Sequence, residues 1–213
     1  VWPLTVFWFM GMMNTINFLD GASGLVAGVT AILSAVLALH MIFKAEPPQL
    51  PVALLPLALL AVALGFLPFN FAPARIFMGD VGSQFLGFMM AVLAVAAAHF
   101  DAASVSFLIV PLLLFGLLFD AAFTLVRRAL MGERVAAAHR THLYQMAQRS
   151  GLGVRTVAAT HWGFVLFHGG LVALFLRMAP DTKPLIVAPA LAMQVAWTLY
   201  VARRVRRAGL TWA

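Results

Sequence analysis

Arg75-Ile76-Phe77-Met78-Gly79-Asp80-Val81-Gly82-Ser83 opens a stretch whose next formal charge after Asp80 is Asp101. The twenty residues between the two acids, Val81 to Phe100, carry no formal charge. At about 1.5 Å of helical rise per residue they span roughly 30 Å, the thickness of a bilayer's hydrocarbon core. Asp80 therefore stands at the rim of a membrane helix, with Gly79 before it and Gly82 just after. A carboxylate beside flexible backbone at that depth suits a polar ligand held at a membrane surface.

The rest of the chain repeats the pattern. Hydrophobic residues make up 63% and charged residues 10% of the 213 positions, and the mean hydropathy is +0.99. A soluble domain carries about 25% charged residues, so most of this chain must face lipid or other membrane helices. Cysteine is absent, which excludes disulfides and thiolate metal sites. The net charge of +7 lies in short loops between apolar spans, a placement that encodes membrane orientation and argues against nucleic acid.

Seven apolar spans of helical length follow: Trp2–Met13, Leu25–Phe43, Pro51–Phe66, Gln84–His99, Ser104–Val126, Val157–Arg177 and Pro184–Ala202. The expected fold is all-α, a polytopic membrane helix bundle in one domain, 1–213. A loop over 127–156 and a basic tail over 203–213 lie outside the lipid. Eleven arginines (Arg75; Arg127 to Arg155; Arg203 to Arg207) fall on one side, against Lys44, Arg177 and Lys183 on the other. The positive-inside rule makes the first side cytoplasmic, with Val1 outside and Ala213 inside. The chain starts at Val1 inside an apolar run with no signal-peptide pattern, so a longer parent protein is expected.

Polar residues from separate segments then share the cytoplasmic face. In Asn14-Thr15-Ile16-Asn17-Phe18-Leu19-Asp20-Gly21-Ala22-Ser23-Gly24, residues three apart share a helix face. Carboxylate and amide oxygens suit Mg²⁺, which keeps several waters and shares its other ligands with phosphates. The glycines turn the chain into a helix whose positive N-terminal end is a ready anion site. Simple capping by Asp20 is the competing account. The Gly79–Ser83 turn repeats the scheme, and Asp80 as a cap competes there too. In His139-Arg140-Thr141-His142 the guanidinium offers paired donors to phosphate, whereas zinc would need a third ligand. Asp120, inside its span, marks either a functional site or a pair with Arg127 or Arg128.

These three motifs, in this order, resemble the polyprenyl-phosphate N-acetylhexosamine-1-phosphate transferases, relatives of phospho-MurNAc-pentapeptide translocase. The resemblance covers their C-terminal part, and the family's paired-acid motif lies upstream of it. It implies a bacterial inner-membrane enzyme with a cytoplasmic site. There undecaprenyl phosphate attacks the sugar-bound phosphorus of a UDP-N-acetylhexosamine, and UMP leaves. Arg-Thr-His-Leu-Tyr-Gln leans toward the branch that starts O-antigen or capsule synthesis. By the family pattern Asp80 holds Mg²⁺ (Mn²⁺ as a substitute) with Asn17 as second ligand, and Asp20 supports catalysis or the nucleotide. His139, Arg140 and His142 steady the phosphates. Asn14, Gly21, Ser23, Gly79, Ser83 and Asp120 complete the expected substrate contacts. Ser23 stands where many relatives carry a second acid. Membrane lipids are partners, a homodimer is admitted, and the chain alone is expected to be inactive. A transporter, or a non-catalytic membrane fragment, is the rival reading.

Overall fold

A computed structural model describes residues 2–43, 50–99, 106–134, 137 and 139–212, and among these the regular structure is entirely helical. Nine α-helices follow in order: α1 (Trp2–Leu19), α2 (Leu25–Phe43), α3 (Leu50–Asn70), α4 (Gly79–His99), α5 (Ile109–Leu113), α6 (Phe115–Leu130), α7 (Leu143–Arg149), α8 (Val154–Phe175) and α9 (Val187–Arg207). Apolar sequence in lipid folds this way because every backbone N–H and C=O must find a partner within its own segment.

Among the described residues, five helices are long and apolar enough to cross a membrane: Leu25–Phe43, Val52–Asn70, Gly79–Ala97, Val154–Phe175 and Lys183–Arg207. The chain is a multi-pass membrane protein. The expected span Ser104–Val126 is interrupted at Leu114, whose φ of −91° and ψ of 11° leave the helical region between α5 and α6. Residues 100–105, where that span was expected to begin, lie outside the described residues.

Several helices outrun the apolar spans read from sequence. α1 continues to Leu19 and carries both asparagines, α6 continues through Arg127 and Arg128 to Leu130, and α9 absorbs the basic tail as far as Arg207. The expected loop over 127–156 contains α7 and the first turn of α8. Hydropathy marks the hydrocarbon, whereas the hydrogen-bond ladder continues wherever the backbone can extend it into the interface.

α1 packs along α4, α2 packs along α3, and α8 lies against α2 and α5, while the short α7 is wedged among α6, α8 and α9. Small residues permit the closest approaches. A Cβ on Gly87 of α4 would stand 2.7 Å from Met13 Cα and 2.8 Å from Met12 O on α1. On Gly28 of α2 it would enter the indole of Trp162 on α8. Membrane helices lack a hydrophobic drive to associate, so such close backbone packing carries the contact. The consequence for function is that the C-terminal end of α1 is pressed against the first turns of α4.

Candidate functional site

The C-terminal end of α1 is where the three motifs meet. Asn17 donates its amide to Asp80 Oδ1 at 3.0 Å and to Ser83 Oγ at 2.9 Å, joining the first motif to the second. Ser83 is fully buried and its hydroxyl faces the carbonyls of Gly79 and Asp80, at 3.1 and 3.3 Å. With its own hydrogen so directed, Ser83 accepts from Asn17, which orients the amide nitrogen toward Asp80. Asn17 thus braces Asp80 through nitrogen, while its Oδ1 occupies the other arm of the amide.

Asp20 follows in the turn after α1, its N–H reaching Asn17 O at 3.2 Å. Burial, and the charge of Asp80 beside it, push the Asp20 carboxyl up to about 7. Two carboxyl groups brought together in this way form a place where a cation is electrostatically favoured. Gly21 is exposed, but a Cβ there would run into Tyr144 Oη. Ser23 is half-buried in the same turn. Gly79 takes φ +67°, the left-handed conformation glycine adopts freely, immediately before exposed Asp80.

Asn14, expected with them, is exposed and donates back to Met10 O of its own helix at 2.8 Å. The structure brings Asn17, Asp20, Asp80 and Ser83 together, and leaves Asn14 one turn below.

The third motif reaches this place through Phe18. The ring of Phe18 lies 5.6 Å from that of His142 and 6.4 Å from that of His139, and the two imidazoles stack at 5.0 Å. Tyr144 donates its hydroxyl to Phe18 O at 2.9 Å and accepts from Gln145 Nε2 at 3.1 Å. Burial, with Asp120 nearby, pushes the Tyr144 phenol well above its ordinary range, so it remains a neutral donor. His139 places Nδ1 at 3.1 Å from Ala137 O, and burial holds its ring below the ordinary imidazole range. Nε2 of His139 and Nε2 of His142 are buried without a hydrogen-bond partner among the described residues. Arg140 is exposed at the rim.

Asp120, expected as a substrate contact, faces inward and is 1% exposed. Its Oδ1 takes the N–H of Leu143 at 2.9 Å, His142 Nδ1 at 3.1 Å and the Thr124 hydroxyl at 3.2 Å, while Oδ2 takes the N–H of Tyr144 at 3.1 Å. The pairing with Arg127 or Arg128 does not form. Both arginines turn to Glu133, at 3.7 and 2.8 Å, and Arg127 also donates to Thr141 Oγ1 at 2.9 Å.

Some organising residues escape a motif reading. Asn70, at the end of α3, accepts from Gly24 N at 2.9 Å and donates to Ile76 O at 3.0 Å, tying the turn before α2 to the loop before α4. Trp162 donates to Gly24 O at 3.1 Å. A lone amide ending the apolar run Leu50–Phe69 was the only visible signal for Asn70, and Tyr144 carried none beyond its place after His142.

Residues 1–98 match the sequence model of glycosyl transferase family 4. Over 155 residues the chain is 34% identical to a probable undecaprenyl-phosphate N-acetylglucosaminyl 1-phosphate transferase of Bacillus subtilis (strain 168), covering 72% of this chain and 42% of that protein. It is 31% identical over 189 residues to a phospho-N-acetylmuramoyl-pentapeptide-transferase of Synechococcus sp. (strain RCC307), covering 84% and 49%. A decaprenyl-phosphate N-acetylglucosaminephosphotransferase of Mycobacterium tuberculosis (strain CDC 1551 / Oshkosh) is 28% identical over 219 residues, covering 94% and 54%. The chain spans about half the length of these relatives.

Proposed function

We propose, from the premise that residues 1–98 belong to glycosyl transferase family 4, that this chain forms the diphosphate-handling part of a polyprenyl-phosphate sugar-1-phosphate transferase. The reaction moves N-acetylhexosamine-1-phosphate from a UDP-sugar to undecaprenyl phosphate. A lipid phosphate oxygen bonds to the sugar-bound phosphorus as the bond from that phosphorus to UMP breaks. The site faces the cytoplasm at a bacterial inner membrane, and the product starts an envelope polysaccharide such as O-antigen or capsule. The observation carrying this reading is the meeting of all three motifs around Asn17, Phe18 and Asp20 at the end of α1.

Mg²⁺ fits the residues present. Burial first, and then the charge of Asp80, raise the Asp20 carboxyl to about 7, and a divalent cation would stabilise both carboxylates in their ionised form. Asp80 and Asp20 would hold the ion, with Asn17 either as brace or through its Oδ1; Mn²⁺ is the natural substitute. When bound, the ion neutralises the diphosphate charge. The chain's own groups do the rest: Asn17 and Ser83 fix Asp80, Gly21 leaves room for Tyr144, Arg140 offers donors to phosphate oxygens, and His139 and His142 meet them through Nε2 when that atom carries a proton. Phosphoryl transfer asks chiefly for such positioning and charge neutralisation.

The test is UMP release from UDP-N-acetylglucosamine and undecaprenyl phosphate. It is run on this chain alone and on the chain joined behind the N-terminal half of the Bacillus relative. The chain alone is expected to be inactive and the fusion active, with Asp80→Asn lowering kcat about 100-fold or more. A fusion that stays folded and releases UMP equally well with Asp80→Asn would overturn the reading.

A further inference from the structure

Asp120 lies on α6 in a stripe with Gly116, Thr124 and Arg128, four residues apart, and all four are buried. Its four hydrogen bonds occupy both oxygens. An ionised carboxylate only accepts, so each partner must donate. Two of the four, the backbone N–H groups, can only donate, and the Thr124 hydroxyl turns its hydrogen to the carboxylate. The fourth, His142 Nδ1, carries a hydrogen when it meets an ionised Asp120, which leaves Nε2 as the ring's free position; the rival is a ring that, as N-cap of α7, accepts from the Gln145 N–H and carries its hydrogen on Nε2. That atom is buried, without a partner among the described residues, and its ring packs against both Phe18 and His139, beside the end of α1 that carries Asn17.

From this arrangement we infer that Asp120 is a positioning residue: its carboxylate fixes neutral His142 as the Nδ1–H tautomer and pins the ring so that only Nε2 is left to meet a phosphate group, as a donor to a phosphate oxygen once it has taken a proton from solvent. The same carboxylate caps the first two N–H groups of α7. One side chain therefore sets both the tautomer of His142 and the place of the segment that carries Tyr144 to Phe18 O. The inference deepens the proposed function and rests on it for the ligand; the tautomer stands on hydrogen bonding alone. An orienting partner on one imidazole nitrogen decides what the other can do. Here the carboxylate comes from a membrane helix twenty-two residues upstream.

The test is ¹⁵N NMR of the whole 213-residue chain in nanodiscs, with histidine labelled, at about pH 8, above the ordinary imidazole range. His142 is assigned by the signal lost in His142→Gln. The expected spectrum has a protonated Nδ1, shifted downfield by its carboxylate partner, and a bare Nε2. Asp120→Ala is expected to abolish the downfield proton and redistribute the tautomers. Asp120→Asn, which keeps the side-chain shape, is expected to weaken the downfield shift, so a variant that fails to fold does not remove the comparison. A wild-type His142 with hydrogen on Nε2 would refute the inference, as would a spectrum unchanged in both Asp120 variants. Magnesium pyrophosphate is then titrated in. Movement of the His142 Nε2 signal in wild type, lost in Asp120→Ala, supports the phosphate assignment. The expected tautomer with no response to pyrophosphate would overturn that assignment, and with it this part of the proposed function, while leaving Asp120 as the group that orients the ring.

Discussion

Asp20 is the residue whose chemistry depends most on its neighbours. Its carboxyl is raised to about 7, first by burial and then by Asp80, so below that pH it is neutral and competes poorly for a cation. Divalent-ion affinity should therefore climb as pH rises from about 5 and level off above about 7. Asp20→Asn should flatten that profile; titration calorimetry with Mg²⁺ or Mn²⁺ reads it directly. The same shift has a sign for stability. Between the unfolded value of 3.8 and about 7 the folded chain binds more protons than the unfolded one, so without metal its stability falls as pH rises through that window. A thermal-unfolding series across those pH values should show a decline in wild type and a weaker one in Asp20→Asn.

Gly21 and Tyr144 form a second residue-scale pair. Gly21→Ala should destabilise by about 1–3 kcal/mol, because the new methyl meets the Tyr144 hydroxyl. Tyr144→Phe alone should cost about 1 kcal/mol through the bond lost to Phe18 O. The double variant should be better than the sum of the two, since removing the hydroxyl clears the methyl's path. Strict additivity in a double-mutant cycle would show that the two positions do not touch.

Among the elements, α1 and α4 decide whether the acids meet. Their approach depends on Gly87, where an added Cβ would stand 2.7 Å from Met13 Cα and 2.8 Å from Met12 O. Gly87→Val should push the helices apart and loosen the Asn17–Asp80 hydrogen bond. Spin labels at the C-terminal end of α1 and the N-terminal end of α4 should then report a longer and broader distance, with a lower melting temperature. Unchanged distances would mean that Gly87 is not the contact that matters. α7 plays a different part: too short to be stable alone, it holds its place through Asp120 at its start and its packing among α6, α8 and α9.

For the whole molecule, the arginine-rich end is predicted to be cytoplasmic. The chain has no native cysteine, so single-cysteine reporters are clean. Cysteines at Arg75 and Arg140 should resist a membrane-impermeant maleimide in intact cells, whereas one at Asp181 should react. The reverse pattern would put the site on the other face.

How much of this was legible beforehand depends on the range of the forces involved. Apolar run lengths and arginine spacing announced a helical membrane bundle, and the glycine-flanked acids and His139–His142 announced the chemistry, because each is a local pattern. The helix ends were misread at Leu19, Leu130 and Arg207, since hydropathy reports the lipid boundary and not the end of the hydrogen-bond ladder. Asp120 read equally well as a ligand contact or as a partner of Arg127. Three of its four partners lie twenty-two to twenty-four residues away, and only packing of α7 onto α6 could choose them. Likewise, no local pattern says that the Asn17 amide meets Asp80 while Asn14 turns back on its own helix. Residue types and spacing showed which chemical groups the chain carries and which segments hold them. Which side chains face one another was settled by helix packing, where a glycine permits contact and a buried carboxylate must find its donors.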